Sequence, residues 1–137
     1  MASRLAIRVR HDLSTGENHD AMSIETTWTG SRLAGQQPAA PAYASTKAAI
    51  VSFTRSLASL AITQGVRVSA VAPGPVWTPL IPSTMPKEKV KNFGSDTVCG
   101  RAAQPAEIAP IFVFLASDQA SYVTGEIHGA TGGQMPM

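Results

Sequence analysis

The chain has 137 residues, of which 44% are hydrophobic and 15% charged, with a formal net charge of +2. That is one domain's length with enough apolar material for a core, which excludes a chain disordered throughout. No apolar run approaches the roughly 20 residues of a membrane-spanning helix. A lone cysteine, Cys99, excludes an internal disulfide, and the scattered His11, His19 and His128 lack metal-ligand spacing, so no metal is expected. The weak basic excess, with Trp28 and Trp77 outside any basic patch, argues against nucleic acid.

Met1 to Arg10 carries Arg4, Arg8 and Arg10 but no apolar region long enough for a secretory signal. A cytoplasmic protein is therefore the expectation. His11 to Asp20 is polar and reads as a loop, and Met22 to Trp28 as a weak strand. Gly35 to Pro41 reads as a linker. The first 37 residues are thus set apart as an atypical segment, and 38–137 as the ordered part.

From Ala42 to about Ile62 the apolar residues Ile50, Phe53, Leu57, Leu60 and Ala61 recur three and four apart, which predicts a helix buried along that stripe. Gly65 stops it. Val66 to Val71 alternates as a strand and Pro73-Gly74-Pro75 ends it. Prolines 79, 82 and 86 leave room only for short helical turns, the best being Lys87 to Phe93.

Pro105 to Ala116 is the second strong helix, with Ile108, Ile111, Phe112 and Leu115 as its buried stripe. Pro110 should bend it or move its start later. Ser117 to Val123 reads as a loop and Glu126 to Gly129 as a last short strand. Alternating helices and strands imply an α/β fold with a parallel sheet. His128 is expected to be a satisfied edge histidine and Cys99 a packing residue.

Two features carry chemistry. Tyr43 and Lys47 are four apart at a helix start and share one face. An ammonium about 5 Å from a phenol favours the phenolate by about 3 kcal/mol at an effective dielectric near 20, or roughly two pKa units. That brings a tyrosine into the range of proton exchange with a substrate oxygen. The other feature is Pro73-Gly74-Pro75-Val76-Trp77-Thr78, directly after a strand, where α/β sheets bind ligands. Gly74 is expected to let the backbone approach a ligand. Residues 26–86 also contain no Asp or Glu but do contain Arg32, Lys47, Arg55 and Arg67; an anionic ligand is one reading, and a mostly buried helix and strand with few charges of any kind is the preferred one.

The order of Tyr43-Ala44-Ser45-Thr46-Lys47, Gly65 to Gly74, Gly100-Arg101, Gln104 to Ala109, Phe114 to Asp118, Tyr122 to Gly125 and Gly132-Gly133 resembles the short-chain dehydrogenase/reductase family. The likeness covers residues from about 41 to 134. Thr78 to Ser83 and Asn92 to Thr97 further resemble its branch of NADP-linked aldehyde and sugar-alcohol dehydrogenases.

The resemblance implies the C-terminal part of a Rossmann-like doubly wound parallel sheet, truncated at the N-terminus. It implies a hydride transfer between NADP or NAD, NADP slightly favoured, and a small carbonyl or alcohol substrate. By resemblance Tyr43 is the general acid–base and Lys47 holds the nicotinamide ribose. Pro73, Gly74, Val76 and Thr78 line the nicotinamide side. The family's catalytic serine falls 13 residues before the tyrosine, where Gly30 stands; Ser31, one residue on, is the candidate. No Gly-x-x-x-Gly-x-Gly run is present, so the family's pyrophosphate turn has no match. The resemblance also implies a homo-oligomer. The alternative is a non-catalytic remnant that acts by self-association or by pairing with a full-length relative.

Overall fold

The computed structural model describes residues 7–8, 21–25 and 41–133, with side chains from Ala44 onward. Strand β1 (Ile7–Arg8) and strand β2 (Ala21–Glu25) precede helix α1 (Pro41–Ala61). Strand β3 (Arg67–Pro73) is followed by two short helices, α2 (Leu80–Thr84) and α3 (Lys87–Lys91). Helix α4 (Pro105–Leu115) and strand β4 (Ile127–Ala130) complete the described elements.

One sheet has the order β1-β2-β3-β4. Strands β2, β3 and β4 are parallel, with Met22 opposite Val68 and Ala70 opposite Ile127. Strand β1 is antiparallel to β2, Ile7 facing Ile24. The crossovers β2-α1-β3 and β3-α4-β4 make this an α/β fold.

Central strand β3 explains the layering. Its side chains alternate between the sheet's faces. Val68 meets Ala58, Leu57 and Ala61 of α1. Val71 meets Ile108 and Leu115 of α4 on the opposite face. Both faces are covered, so Val68, Ala70, Val71 and Ala72 are all buried, and the strand reads as a continuous apolar run.

The expected stripe on α1 holds in part: Ile50, Leu57 and Ala61 are half-buried, the last two against Ala58 and Val68. Lys47, Thr54 and Ala58 are buried, whereas Phe53 and Leu60 are 53% and 71% exposed. The helix lies against a strand of small residues, and close approach selects small side chains over large ones. Thr54 satisfies its hydroxyl within the helix by donating to the Ile50 carbonyl at 2.9 Å.

Helix α4 begins at Pro105 despite Pro110, which stays inside it. Glu107 fixes that start: its carboxylate accepts from the Gln104 N–H at 2.7 Å. The expected stripe holds, with Ile108 and Leu115 buried and Ile111 and Phe112 partly so. A 3-10 turn, Asp118–Ala120, replaces part of the expected loop after it. Strand β3 runs on through Pro73, two residues beyond its expected end.

Candidate functional site

Helix α1 sets the position of the tyrosine–lysine pair. A parallel crossover leaves the carboxyl end of one strand and returns to the amino end of the next. The contacts agree: late α1 residues Leu57, Ala58 and Ala61 meet Val66 and Val68, around the amino end of β3. Tyr43 and Lys47, in the first two turns, therefore stand at the opposite, carboxyl end. The Pro73–Thr78 loop leaves β3 at that same end. Helix and loop thus converge on the edge where parallel sheets bind ligands.

Lys47 is only 4% exposed. A long cationic side chain is rarely buried to that degree without a polar setting. Tyr43 lies one turn before it on the helix. Ser31 lies outside the described residues.

The loop after β3 is held along its length. The Gly74 N–H donates to the Ala130 carbonyl at 2.9 Å, the Ala103 N–H to the Pro75 carbonyl at 2.9 Å, and the Trp77 N–H to the Ala103 carbonyl at 2.8 Å. Val76 pairs with Ala103 as a parallel bridge and packs on the Val71, Ile108 and Leu115 cluster. Thr78 accepts from the Ile81 N–H at 3.0 Å, so the loop runs directly into α2. Trp77 is partly exposed and tilts against Phe93, ring centres 6.2 Å apart.

Gly74 lacks a side chain for a reason internal to the fold. A Cβ there would stand 2.8 Å from the Cα and carbonyl oxygen of Thr131. The close approach it permits in the described structure is to the chain after β4.

Beside this loop lies a cavity of about 220 Å³ lined by Pro75, Thr97, Cys99, Arg101, Ala130 and Thr131, among others. Thr97 is a buried hub that the sequence did not single out. Its hydroxyl donates toward the Gly94 and Arg101 carbonyls and accepts from the Arg101 N–H. Arg101 reaches Glu107 with both guanidinium nitrogens, at 2.8 and 2.7 Å. That pair, with the Gln104 N–H, holds the Glu107 carboxyl down at about 2. Opposite charges on either side of a helix-starting proline were the available signal.

Two expectations are corrected. Cys99 is exposed rather than packed, and its backbone N–H donates to the Gly132 carbonyl. His128 is not satisfied among the described residues: its buried Nε2 has no hydrogen-bond partner there, and the register sets the residue opposite Val71. In the acid-free stretch Arg32 lies outside the described residues, and the other arginines stand apart from Lys47, as the preferred reading has it. Arg67 sits at the amino end of β3, donating to the Val123 and Ser117 carbonyls. Arg55 is eight residues past Lys47, about 12 Å farther along α1.

The residues can be weighed against a nicotinamide dinucleotide. Lys47, a buried amine, and Thr78, a hydroxyl at the loop's end, suit the ribose and amide side of such a group. At the other end the sheet offers β1, antiparallel, beside β2, and the strand order does not reverse. Among the described residues no group of three or more His, Cys, Asp or Glu is placed to hold a metal ion.

A family model described as enoyl-(acyl carrier protein) reductase matches residues 6–134. The glucose and ribitol dehydrogenase homolog of Oryza sativa subsp. japonica is 57% identical over 91 residues, covering 66% of this chain and 30% of that protein. The chloroplastic NADPH-dependent aldehyde reductase 1 of Arabidopsis thaliana is 53% identical over 92 residues, covering 66% and 32%. The chain thus spans about a third of the length of these curated relatives. Among solved structures, 3-oxoacyl-[acyl-carrier protein] reductase from Brucella melitensis superposes with a TM-score of 0.59 at 37% identity, covering 66% of this chain and 34% of its own. A short chain dehydrogenase/reductase family protein gives 0.65 at 37% identity, covering 81% and 44%. Sequence order, sheet and family match agree: the chain belongs to the short-chain dehydrogenase/reductase family, an oxidoreductase family that works with NAD(P).

Proposed function

We propose that this chain takes part in moving a hydride between a nicotinamide cofactor and a small carbonyl or alcohol substrate. The observation that carries this reading is the burial of Lys47 one helical turn after Tyr43, at the sheet edge where the β3 loop emerges. A bound nicotinamide supplies or accepts the hydride. Tyr43 gives a proton to the substrate oxygen in reduction and takes it back in oxidation. The Lys47 ammonium favours the phenolate and holds the ribose. Ser31 is proposed to steady the substrate oxygen. Pro73, Gly74, Val76 and Thr78 form the wall on the nicotinamide side.

The relatives' names, an aldehyde reductase and a glucose and ribitol dehydrogenase homolog, support an aldehyde or polyol as the substrate. The NADPH dependence in one of them supports NADP over NAD. Among the described residues no helix is long and apolar enough to cross a membrane, which is compatible with a cytoplasmic enzyme. The test measures NADPH and AMP binding by the purified chain, together with turnover of small aldehydes. Tighter binding of NADPH than of AMP, with aldehyde reduction, supports the reading. Equal or absent binding, with no turnover, defeats it.

One observation favours a second reading, a non-catalytic member that works by self-association or by pairing with a full-length relative. Phe53 and Leu60 on α1, and Val113 and Phe114 on α4, leave apolar surface uncovered. Cofactor-dependent thermal stabilisation, abolished by Tyr43→Phe with Lys47→Ala, separates the two, because only the first reading requires it.

A further inference from the structure

We propose that Thr97 is a positioning residue for the loop after β3: its hydroxyl closes the 94–101 turn, and the two ends of that turn hold Val76 to Thr78 in place at the sheet edge. The inference rests on the function proposed above for its effect on turnover, and on the structure alone for its effect on the loop.

The turn is closed from inside. Thr97 is 7% exposed. Its hydroxyl donates toward the Gly94 carbonyl at 2.9 Å and the Arg101 carbonyl at 3.0 Å, and accepts from the Arg101 N–H at 3.2 Å. One side chain thus ties the first residue of the turn to the last. The ends meet closely, since a Cβ on Gly94 would stand 2.4 Å from the Ala102 nitrogen. A hydroxyl both donates and accepts. A methyl in its place would do neither, and the Arg101 N–H would lose this acceptor.

Both ends of the turn touch the loop. Phe93, directly before Gly94, sets its ring 6.2 Å from that of Trp77. Ala103, two residues past Arg101, donates to the Pro75 carbonyl at 2.9 Å and accepts from the Trp77 N–H at 2.8 Å. Val76, between those two, bridges to Ala103. Trp77 is therefore fixed from two sides, and the distance between its two supports is the distance that Thr97 sets. Thr78 follows directly and leads into α2. The Gly74 N–H, on the Ala130 carbonyl, anchors the start of the loop. The stretch from Val76 to Thr78 depends on the turn.

The experiment is native-state amide hydrogen exchange, read by NMR on the full chain as parent, Thr97→Val and Thr97→Ser. Valine keeps the shape and removes the hydroxyl; serine keeps the hydroxyl and removes the methyl. In the parent the Arg101, Ala103 and Trp77 N–H groups are expected to exchange together, ahead of the Ala70 N–H in the core strand. Thr97→Val should speed all three by about tenfold or more relative to Ala70, and Thr97→Ser by about threefold or less. Aldehyde turnover at saturating NADPH should fall by about tenfold in Thr97→Val and stay near the parent in Thr97→Ser, because a displaced wall costs reactive geometry.

Acceleration confined to Arg101, or shared equally by Ala70, overturns the inference and assigns Thr97 to local or global stability. A serine variant that behaves like the valine variant overturns it too, as does turnover unmoved by Thr97→Val in an active parent. Where Thr97→Val does not fold, the parent decides. Joint exchange of the three amides upholds the inference, and Trp77 and Ala103 exchanging well before Arg101 overturn it, because the loop then opens while the turn is closed. A parent that reduces no aldehyde overturns the proposed function, and the exchange of the three amides still decides the role of Thr97.

Discussion

The backbone of Thr131 stands 2.8 Å from the point where a side chain on Gly74 would begin. The first residue past β3 and the first past β4 are therefore packed backbone to backbone, at the edge that carries the candidate site. Gly74→Ala forces the two segments apart and should destabilise the fold by about 1–3 kcal/mol. Gly100 is the control. It has a positive φ of 70° but open space around it, so Gly100→Ala should cost only the conformational strain, about 1 kcal/mol. Urea denaturation of both variants checks the order. A Gly74→Ala protein as stable as its parent would show that this close contact does not constrain the loop.

Among the described residues, the two leucines farthest apart in burial give the second prediction. Leu115 is 2% exposed in the Val71 and Ile108 cluster, whereas Leu60 is 71% exposed on α1. Leu115→Ala should cost about 2–5 kcal/mol by removing packed volume. Leu60→Ala should change stability by about 0.5 kcal/mol or less, since the side chain has little to lose. Thermal and urea unfolding of the pair decide it. Equal losses would mean that the Leu60 face is covered in solution.

That contrast shows where the sequence was legible. The period of the apolar residues revealed both long helices and their order with the strands, because helical spacing survives any tertiary context. On α1 it placed Ile50, Leu57 and Ala61 correctly toward the sheet but added Phe53 and Leu60, because hydrophobic periodicity weights residues by size, while the sheet admits Ala58 and Thr54 by fit. The α4 stripe was read correctly, because its large residues are the ones that reach Val71. The contact of Gly74 with Thr131, 57 positions away, leaves no local mark. Likewise nothing in a three-residue window tells His128 that it will face Val71. The tyrosine–lysine spacing was visible because one helical turn is a local distance. Its placement beside the β3 loop needed the direction of the crossover.

The Arg101–Glu107 pair gives a pH dependence with a definite sign. The guanidinium hydrogen bonds, then the Gln104 N–H, lower the Glu107 carboxyl from an ordinary 4.5 to about 2. A carboxyl depressed in the folded state binds its proton more readily in the unfolded state. Its stabilisation is therefore complete above the unfolded value and is lost as pH falls from about 4.5 through about 2. Glu107→Gln should be less stable than the parent at neutral pH, with the difference shrinking across that window. Both side chains are exposed, so added salt should narrow the difference as well. Denaturant midpoints from neutral pH downward test this. A difference that stays flat to the acid limit would show that the pair does not contribute through its charge.

The last prediction separates the roles of Tyr43 and Lys47. Tyr43→Phe keeps the ring and removes the exchangeable proton. It should lower aldehyde turnover by about 10²–10⁴-fold while nucleotide binding stays nearly constant. Lys47→Met keeps an unbranched side chain of similar length in the buried position but removes the charge that favours the phenolate. It should weaken nucleotide binding and also return the phenol toward its ordinary value near 10, moving the basic form of the enzyme to higher pH. A merely structural lysine would change stability and leave the pH profile of the remaining turnover where it was. The decisive measurement is thus the pH dependence of oxidation by the parent and by Lys47→Met at saturating cofactor. An unmoved profile would assign Lys47 to packing and leave Tyr43 without the neighbour that makes it reactive.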